Sequence, residues 1–203
     1  GVPGTVTATT VDTLTGTAAQ VAAAVSAGGL TLDGDFTVTL TADSTAAASD
    51  LKTINTATSG IITATGVTAI SGSISDINDV LAAETSQGNA GQQIDLDTDF
   101  TVTVTDTGSV AATTLTGLDS GVPGTVTVTN AVTLTGTAAE IAAAATADNA
   151  GTLALAADFG ATVDAGSVAA TDLTTIVGQT SATINATAAT AITGTATEVA
   201  AAI

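Results

Sequence analysis

The chain has 203 residues and a formal net charge of -18 at pH 7, with Lys52 as its one strongly basic side chain and no His, Cys, Met, Trp or Tyr. The lack of His and Cys excludes nucleophilic catalysis through an imidazole base and zinc sites built on thiolate or imidazole, so we expect no enzyme activity. The scarcity of Lys and Arg excludes nucleic acid and anionic membrane surfaces as partners, because both are bound through basic clusters.

Internal repetition is the main feature of the chain. The first 25 residues return at Gly121 as GVPGTVTVTNAVTLTGTAAEIAAAA, and weaker copies begin near Ile61 and Ser181. They divide one continuous array over residues 1–203 into repeats at 1–60, 61–120 and 121–180 and a partial repeat at 181–203. Repeats that cannot bury a hydrophobic face alone must stack on their neighbours, which predicts a solenoid or fibre. No apolar run approaches the roughly 20 residues of a membrane-spanning helix, so no membrane insertion is expected.

Each period contains one helix that starts with a capping box. Four phrases of the form apolar-Thr/Ser-Gly-Thr/Ser are followed by an acid or amide three positions after the last hydroxyl residue. The pairs are Thr17 and Gln20, Ser73 and Asp76, Thr137 and Glu140, and Thr195 and Glu198. In a capping box the hydroxyl accepts from the third helical N–H and the acid or amide reaches back, so a short helix is predicted at each. The predicted buried pairs are Val21 with Val25, Ile77 with Leu81, Ile141 with Ala145, and Val199 with Ile203.

A second, different half-unit lies between these helices. All three phenylalanines follow an aspartate in aligned strand-like phrases, at Phe36, Phe100 and Phe159. A Leu lies 14 or 15 residues after each Phe, and an apolar residue lies three positions after that Leu. The spacing of the Leu and the apolar residue predicts a second helix. The pairs are Leu51 with Ile54, Leu115 with Leu118, and Leu173 with Ile176. The predicted N-caps of these helices are Thr45, Ser109 and Ser167, and the acids predicted to favour the helix N-termini are Asp43, Asp106 and Asp164.

Strict alternation of Thr and Val predicts strands with one buried face, as in Thr101–Thr105 and Thr125–Thr129. Each period of about 60 residues therefore reads strand, helix, strand, helix. Parallel strands joined by helical crossovers are the economical way to stack such units. The sequence predicts an α/β repeat solenoid of parallel strands and short Ala-rich helices, with an all-β solenoid as the alternative.

Acidic phrases at two strand entries are candidate calcium sites. Their carboxylates are Asp33, Asp35, Asp95, Asp97 and Asp99. Calcium takes six to eight oxygen ligands, which carboxylates and the carbonyls of a Gly-containing turn can supply. The alternative is that each aspartate before a Phe closes an Asx turn. Because the third copy has Ala156 and Ala157 in place of acids, a calcium site is not required in every repeat, and we expect calcium as a candidate ligand and no required cofactor.

Outward threonines on stacked strands form an array of hydroxyls and methyls. This surface resembles that of solenoidal ice-binding proteins, and it predicts a surface-binding role for ice or glycan as one alternative function. The other interpretation is that Thr favours strands and tolerates water.

The phrases LTGTAAEIAAA, ITGTATEVAAAI, GSVAATDLTTI and DFTVTVTDTGSVAATTL resemble the repeats of very long Ala/Thr/Asp-rich extracellular proteins of bacteria, cyanobacteria among them, of strand-repeat, adhesin-like or surface-layer-like type. The resemblance implies a location outside the cell or at its surface, and calcium as a ligand. We expect a structural protein whose units stack into a fibre, filament or surface layer, and the stalk of a large secreted adhesin is a further alternative. Because the last predicted helix runs to Ile203, the expected partners are copies of the chain or neighbouring repeats of a longer one.

Overall fold

The structure is a computed structural model that describes residues 4–42, 45–84, 93–128, 130 and 132–203. In these residues the fold is α/β and the assigned strand pairs are parallel, as the sequence predicts. The helices contradict the all-β alternative. The chain divides into two compact units, Gly1–Thr103 and Val104–Ile203. The repeat boundaries at residues 60, 120 and 180 stay a prediction.

The elements are short and regularly ordered. In chain order they are β1 (Val6–Ala8), β2 (Thr13–Gly16), α1 (Ala18–Val25), β3 (Leu30–Leu32), β4 (Thr37–Leu40), β5 (Ala46–Ala47), α2 (Ala48–Ala57), β6 (Ile62–Ala64), β7 (Ala69–Gly72), α3 (Ile74–Ala82), β8 (Ile94–Leu96), β9 (Thr101–Val104), β10 (Gly108–Ala111), α4 (Ala112–Gly121), β11 (Val126–Val128), β12 (Val132–Gly136), α5 (Ala138–Ala150), β13 (Leu153–Ala154), β14 (Gly160–Val163), β15 (Gly166–Ala169), α6 (Ala170–Val177), β16 (Ile184–Asn185), β17 (Ala189–Thr193) and α7 (Ala196–Ala202).

Two kinds of segment, which we name modules, alternate along this order. A two-strand module has two strands and then a helix, as in β1–β2–α1, β6–β7–α3, β11–β12–α5 and β16–β17–α7. A three-strand module has a third strand directly before its helix, as in β3–β4–β5–α2, β8–β9–β10–α4 and β13–β14–β15–α6. The prediction of one strand per half-unit is therefore wrong, because two or three strands precede each helix.

In the first unit, the strands of successive modules pair in parallel. β2, β4, β6 and β8 form one sheet, β1 pairs with β3, and β7 lies between β5 and β9. Thr13 lies opposite Thr37, which is 24 positions further along the chain. Helix α2 packs between α1 and α3, so helices and strands both follow the order of the modules.

The second unit repeats this arrangement. β10, β12, β14 and β16 form one sheet, β11 pairs with β13, and β15 pairs with β17. Helix α5 packs against α4 and α6, and α6 packs against α7.

The third strand of a three-strand module lets it pair with its two neighbouring modules through different pairs of strands. The two strands of a two-strand module pair with the first and second strands of the three-strand module that follows, as β11 and β12 pair with β13 and β14. The second and third strands of that module then pair with the next two-strand module, as β14 and β15 pair with β16 and β17. Strands such as β5 and β13 consequently end their sheets, and both are only two residues long. Short edge strands limit unwanted pairing with other chains.

The capping boxes form where they were predicted. Complete boxes open α1, α5 and α7. At α3, Ser73 accepts from the Asp76 N–H, but the Asp76 carboxylate accepts from the Ser73 hydroxyl rather than from its backbone. The structure explains why a glycine precedes two of the boxes. At Gly136 and Gly194, φ is +143° and +151°, which favours glycine, and a Cβ atom would crowd the capping glutamate.

The predicted caps of the other helices are wrong. The N-caps are Ala47, Ala111 and Ala169, and none makes a side-chain cap hydrogen bond. Ser109 and Ser167 lie inside β10 and β15, and Thr45 directly precedes β5. The physical reason is the third strand, whose backbone groups pair with a neighbouring strand up to the first helical residue.

Large side chains of the three-strand modules fill the core. Phe36, Phe100 and Phe159 are buried, as are the predicted pairs Leu51 with Ile54, Leu115 with Leu118, and Leu173 with Ile176. In the two-strand modules the first residues of the predicted pairs, Val21, Ile77 and Ile141, are buried, together with Ala145. Val25, Leu81 and Val199 are half-buried and Ile203 is exposed, which departs from the prediction.

Candidate functional site

The first acidic group lies on the turn between β3 and β4. Asp33 and Asp35 are exposed, and the Asp33 carboxylate accepts the N–H of Gly34 at 2.8 Å. An Asx turn joins an aspartate to the N–H two residues further on, whereas this bond joins Asp33 to the next residue. The interpretation that Asp35, directly before Phe36, closes an Asx turn stays a prediction.

The second acidic group begins inside β8. Asp95 lies opposite Thr63 of β6, and Asp97 and Asp99 follow the strand. The Asp97 carboxylate accepts the N–H of Thr98 at 2.7 Å, which is again a bond to the next residue.

The structure separates the two groups of carboxylates. Residues 33–35 precede β4, whereas residues 97–99 follow β8, and both strands belong to the parallel sheet β2–β4–β6–β8. The two groups therefore lie at opposite ends of that sheet. Within the described ranges, no cluster of three or more His, Cys, Asp or Glu is placed to hold a metal ion. A calcium site at either group stays a prediction, and it would draw on backbone carbonyls for most of its ligands.

Two of the acids predicted to favour the second type of helix are separated from it by a strand. Asp106 precedes β10 and Asp164 precedes β15, so a strand separates each from the helix. The Asp106 carbonyl accepts from the Asn130 side chain at 3.1 Å, and the Asp164 N–H donates to the Gly136 carbonyl at 2.9 Å. The helix-capping prediction is wrong for these two residues, and Asp43 lies outside the described residues.

The Lys52 ammonium joins two helices. It lies 3.0 Å from Asp76 and 2.7 Å from Asp79, so it ties α2 to α3. The hydrogen bond that Lys52 donates to Asp79, followed by the one it donates to Asp76, raises the pKa of Lys52. The hydrogen bond from Lys52, followed by that from Ser73, lowers the pKa of Asp76. Because the three side chains are partly exposed, we assign the cluster a structural role with a small energetic contribution.

A hydrogen-bonded clamp that sequence reasoning missed holds the phenylalanine turn of the first unit. The Thr58 hydroxyl donates to the Phe36 carbonyl and accepts the N–H of Gly60. The N–H and hydroxyl of Ser59 both donate to the Gly34 carbonyl, at 2.8 and 3.2 Å. The segment after α2 is therefore fixed to the turn before β4. We name this contact the Thr–Ser clamp.

The second unit has the same clamp. The Thr180 hydroxyl donates to the Phe159 carbonyl at 2.5 Å and accepts the N–H of Ala182 at 3.0 Å. The N–H and hydroxyl of Ser181 donate to the Ala157 carbonyl at 2.9 and 3.2 Å. A Thr-Ser dipeptide that recurs 22 and 21 residues after a Phe is the sequence signal that identifies it.

Threonines form columns on the outer face of the sheet β2–β4–β6–β8. Thr15, Thr39 and Thr63 lie opposite one another on three successive strands, and Asp95 follows them on the fourth. In a second column the hydroxyls of Thr13 and Thr37 are 2.9 Å apart. The Thr hydroxyls are therefore already partly paired with one another.

No known protein family, curated protein sequence or solved structure matches this chain. Over the described residues, none of the helices combines the length and apolar character needed to cross a membrane.

Proposed function

We propose that this chain is a structural protein of the cell exterior, a repeat solenoid whose modules stack into a fibre, filament or surface layer. One observation carries the proposal: in the described part of each unit, a module forms its sheets and its helix packing with the strands and helix of the neighbouring module. A module of this kind is an assembly element, because the surface that stabilises it is also the surface that binds the next one. Catalysis and a required cofactor form no part of the proposal.

The charge makes stacking of such modules depend on salt. A net charge of -18 keeps such molecules apart at low ionic strength. At 0.15 M salt the Debye length is about 8 Å, so most of this repulsion is screened and apolar stacking can dominate. Assembly is therefore expected to increase with salt.

Electron microscopy and light scattering over a salt series test the proposal. Filaments or sheets that appear as salt rises support it. Monodisperse particles at every salt and protein concentration overturn it, and isolated rods would favour the stalk of a larger adhesin.

The threonine columns support a second candidate, a surface that binds ice or glycan. Thr13, Thr15, Thr37 and Thr39 are exposed and regularly placed on two neighbouring strands. Thermal hysteresis in the parent chain that is lost in the double variant Thr15→Lys, Thr39→Lys would support ice binding. The absence of thermal hysteresis in the parent chain would refute ice binding. Glycan binding is tested in the same pair of proteins on immobilised polysaccharide.

A further inference from the structure

Equivalent positions of the two-strand modules differ greatly in burial. The second residue before the capping-box glycine of the four modules is, in chain order, Leu14, Ile70, Leu134 and Ile192. Ile70 and Leu134 are 0% exposed and Leu14 is half-buried, whereas Ile192 is 40% exposed. A large aliphatic residue at this position is therefore a core residue in two of the four modules and a surface residue in the last.

Helix α7 shows the same contrast. Its described residues are not buried, whereas the equivalent helix α5 buries Ile141 and Ala145. The counterparts of these two residues are Val199, which is half-buried, and Ile203, which is 90% exposed. Ile192, Val199 and Ile203, with the free edges of β16 and β17, form a surface that we name the α7 face.

The cavity beside this helix adds to the apolar surface. It has a volume of about 300 Å³, and Val177, Ile184 and Ala202 contribute to its walls. Val177 is 57% exposed, although it belongs to a helix whose other apolar residues are buried.

The chain itself shows what covers this face in other modules. The module of β11, β12 and α5 is followed by a three-strand module, in which β13 pairs with β11, β14 pairs with β12, and α6 packs on α5. In the first unit β3, β4 and α2 cover β1, β2 and α1 in the same way. In both units, the surface of a two-strand module that corresponds to the α7 face is therefore covered by the three-strand module that follows it.

Side-chain size explains this pairing. The buried residues of α5 are four alanines and Ile141. The three-strand module that covers it supplies Phe159, Leu173 and Ile176, which are all buried. An Ala-rich helix against a second Ala-rich helix would lack these side chains and leave unfilled space, which costs stability.

We propose that the α7 face is a docking site for a three-strand module, with its first strand on β16, its second strand on β17 and its Leu-x-x-Ile helix on α7. The inference rests on the proposed stacking function and names the partner that the α7 face selects. It predicts that simple end-to-end stacking, with α7 on the α1 of a second copy, is the weaker arrangement.

The test extends the full chain beyond Ile203. One variant carries a copy of residues 26–60, the three-strand segment that follows α1, because the phrases ending at Val25 and Ile203 have the same length after their glycines. A second variant carries a copy of residues 183–203, which is a two-strand module. A third carries the copy of residues 26–60 with alanine at the positions of Phe36, Leu51 and Ile54. Hydrogen exchange of the β17 and α7 amides is measured in all three and in the parent chain.

Exchange at β17 and α7 should slow about tenfold or more in the first variant and change little in the other two. Equal protection by the two-strand extension, or no protection by any extension, overturns the proposal. Protection in the parent chain that rises with protein concentration to the level of the first variant also overturns it, because the occupant would then be a second copy. If the first variant is protected while every protein stays monodisperse under the microscope, the docking preference holds and the fibre proposal fails.

Discussion

Replacing Thr58 with valine tests the Thr–Ser clamp. Valine has nearly the same shape as threonine, so the change removes the hydroxyl and leaves the packing in place. Thr58 is 6% exposed, and its hydroxyl donates to the Phe36 carbonyl and accepts the Gly60 N–H. The variant leaves one backbone acceptor and one backbone donor without this partner.

The size of the effect follows from these two bonds. An unsatisfied buried donor or acceptor costs about 1–3 kcal/mol, so the loss of both partners in Thr58→Val should lower the free energy of unfolding by about 2–6 kcal/mol. Thr58→Ser keeps the hydroxyl and loses one methyl group, which costs about 1 kcal/mol. The difference between the two variants isolates the hydroxyl. Thr53→Val is the control, because the Thr53 hydroxyl bonds the Ser49 carbonyl within one helix on the exposed side.

Urea unfolding followed by far-ultraviolet circular dichroism measures these differences. The chain has no Trp or Tyr, so intrinsic indole or phenol fluorescence gives no signal. Hydrogen exchange at Gly60 reports the clamp locally. If Thr58→Val costs no more than Thr58→Ser, or no more than Thr53→Val, the reasoning is refuted.

Three further predictions concern the caps, acid and calcium. Thr137→Ala should cost about 1 kcal/mol in urea unfolding, and Thr195→Ala should cost less because no residue of α7 is more than half-buried; equal costs would contradict this. Lys52 lowers the pKa of Asp76 in the folded protein. The stability that this ion pair adds is therefore present above the pKa of Asp76 in the unfolded chain, about 4, and is lost as the pH falls through its pKa in the folded protein. Between pH 6 and pH 3 the parent should therefore lose more stability than Lys52→Gln, and parallel pH profiles would refute the link. A chelator should leave Tm unchanged, since ligand loss lowers Tm only where a ligand stabilises the fold; a fall in Tm that calcium reverses and Asp97→Asn prevents would establish the calcium site.

Local signals in the sequence were reliable where the interaction itself is local. The capping box joins residues three positions apart, so Thr137 with Glu140 and Thr195 with Glu198 could be identified directly. The i, i+3 spacing of Leu and Ile likewise identified one face of a short helix. These two patterns were sufficient for the helix types and the main core residues.

Interactions between distant residues could not be derived in this way. Ser109 precedes a helix and has a good capping side chain, yet it lies in β10 opposite Thr133. The backbone pairing of a neighbouring module outweighs a local cap that would contribute about 1 kcal/mol. The Thr–Ser clamp was missed for the same reason, since its partners lie 21 and 22 residues apart.

The sequence by itself determined the α/β class, the positions of the two types of helix and the large side chains of the core, because each depends on spacing along the chain. Only the tertiary structure decided that half-units have two or three strands and that the third strand lets a module pair with its two neighbours through different pairs of strands. It also decided that the two acidic groups lie at opposite ends of a sheet. The physical reason is that strand pairing joins residues 23 to 32 positions apart, and no pattern within one segment specifies which neighbour a strand will find.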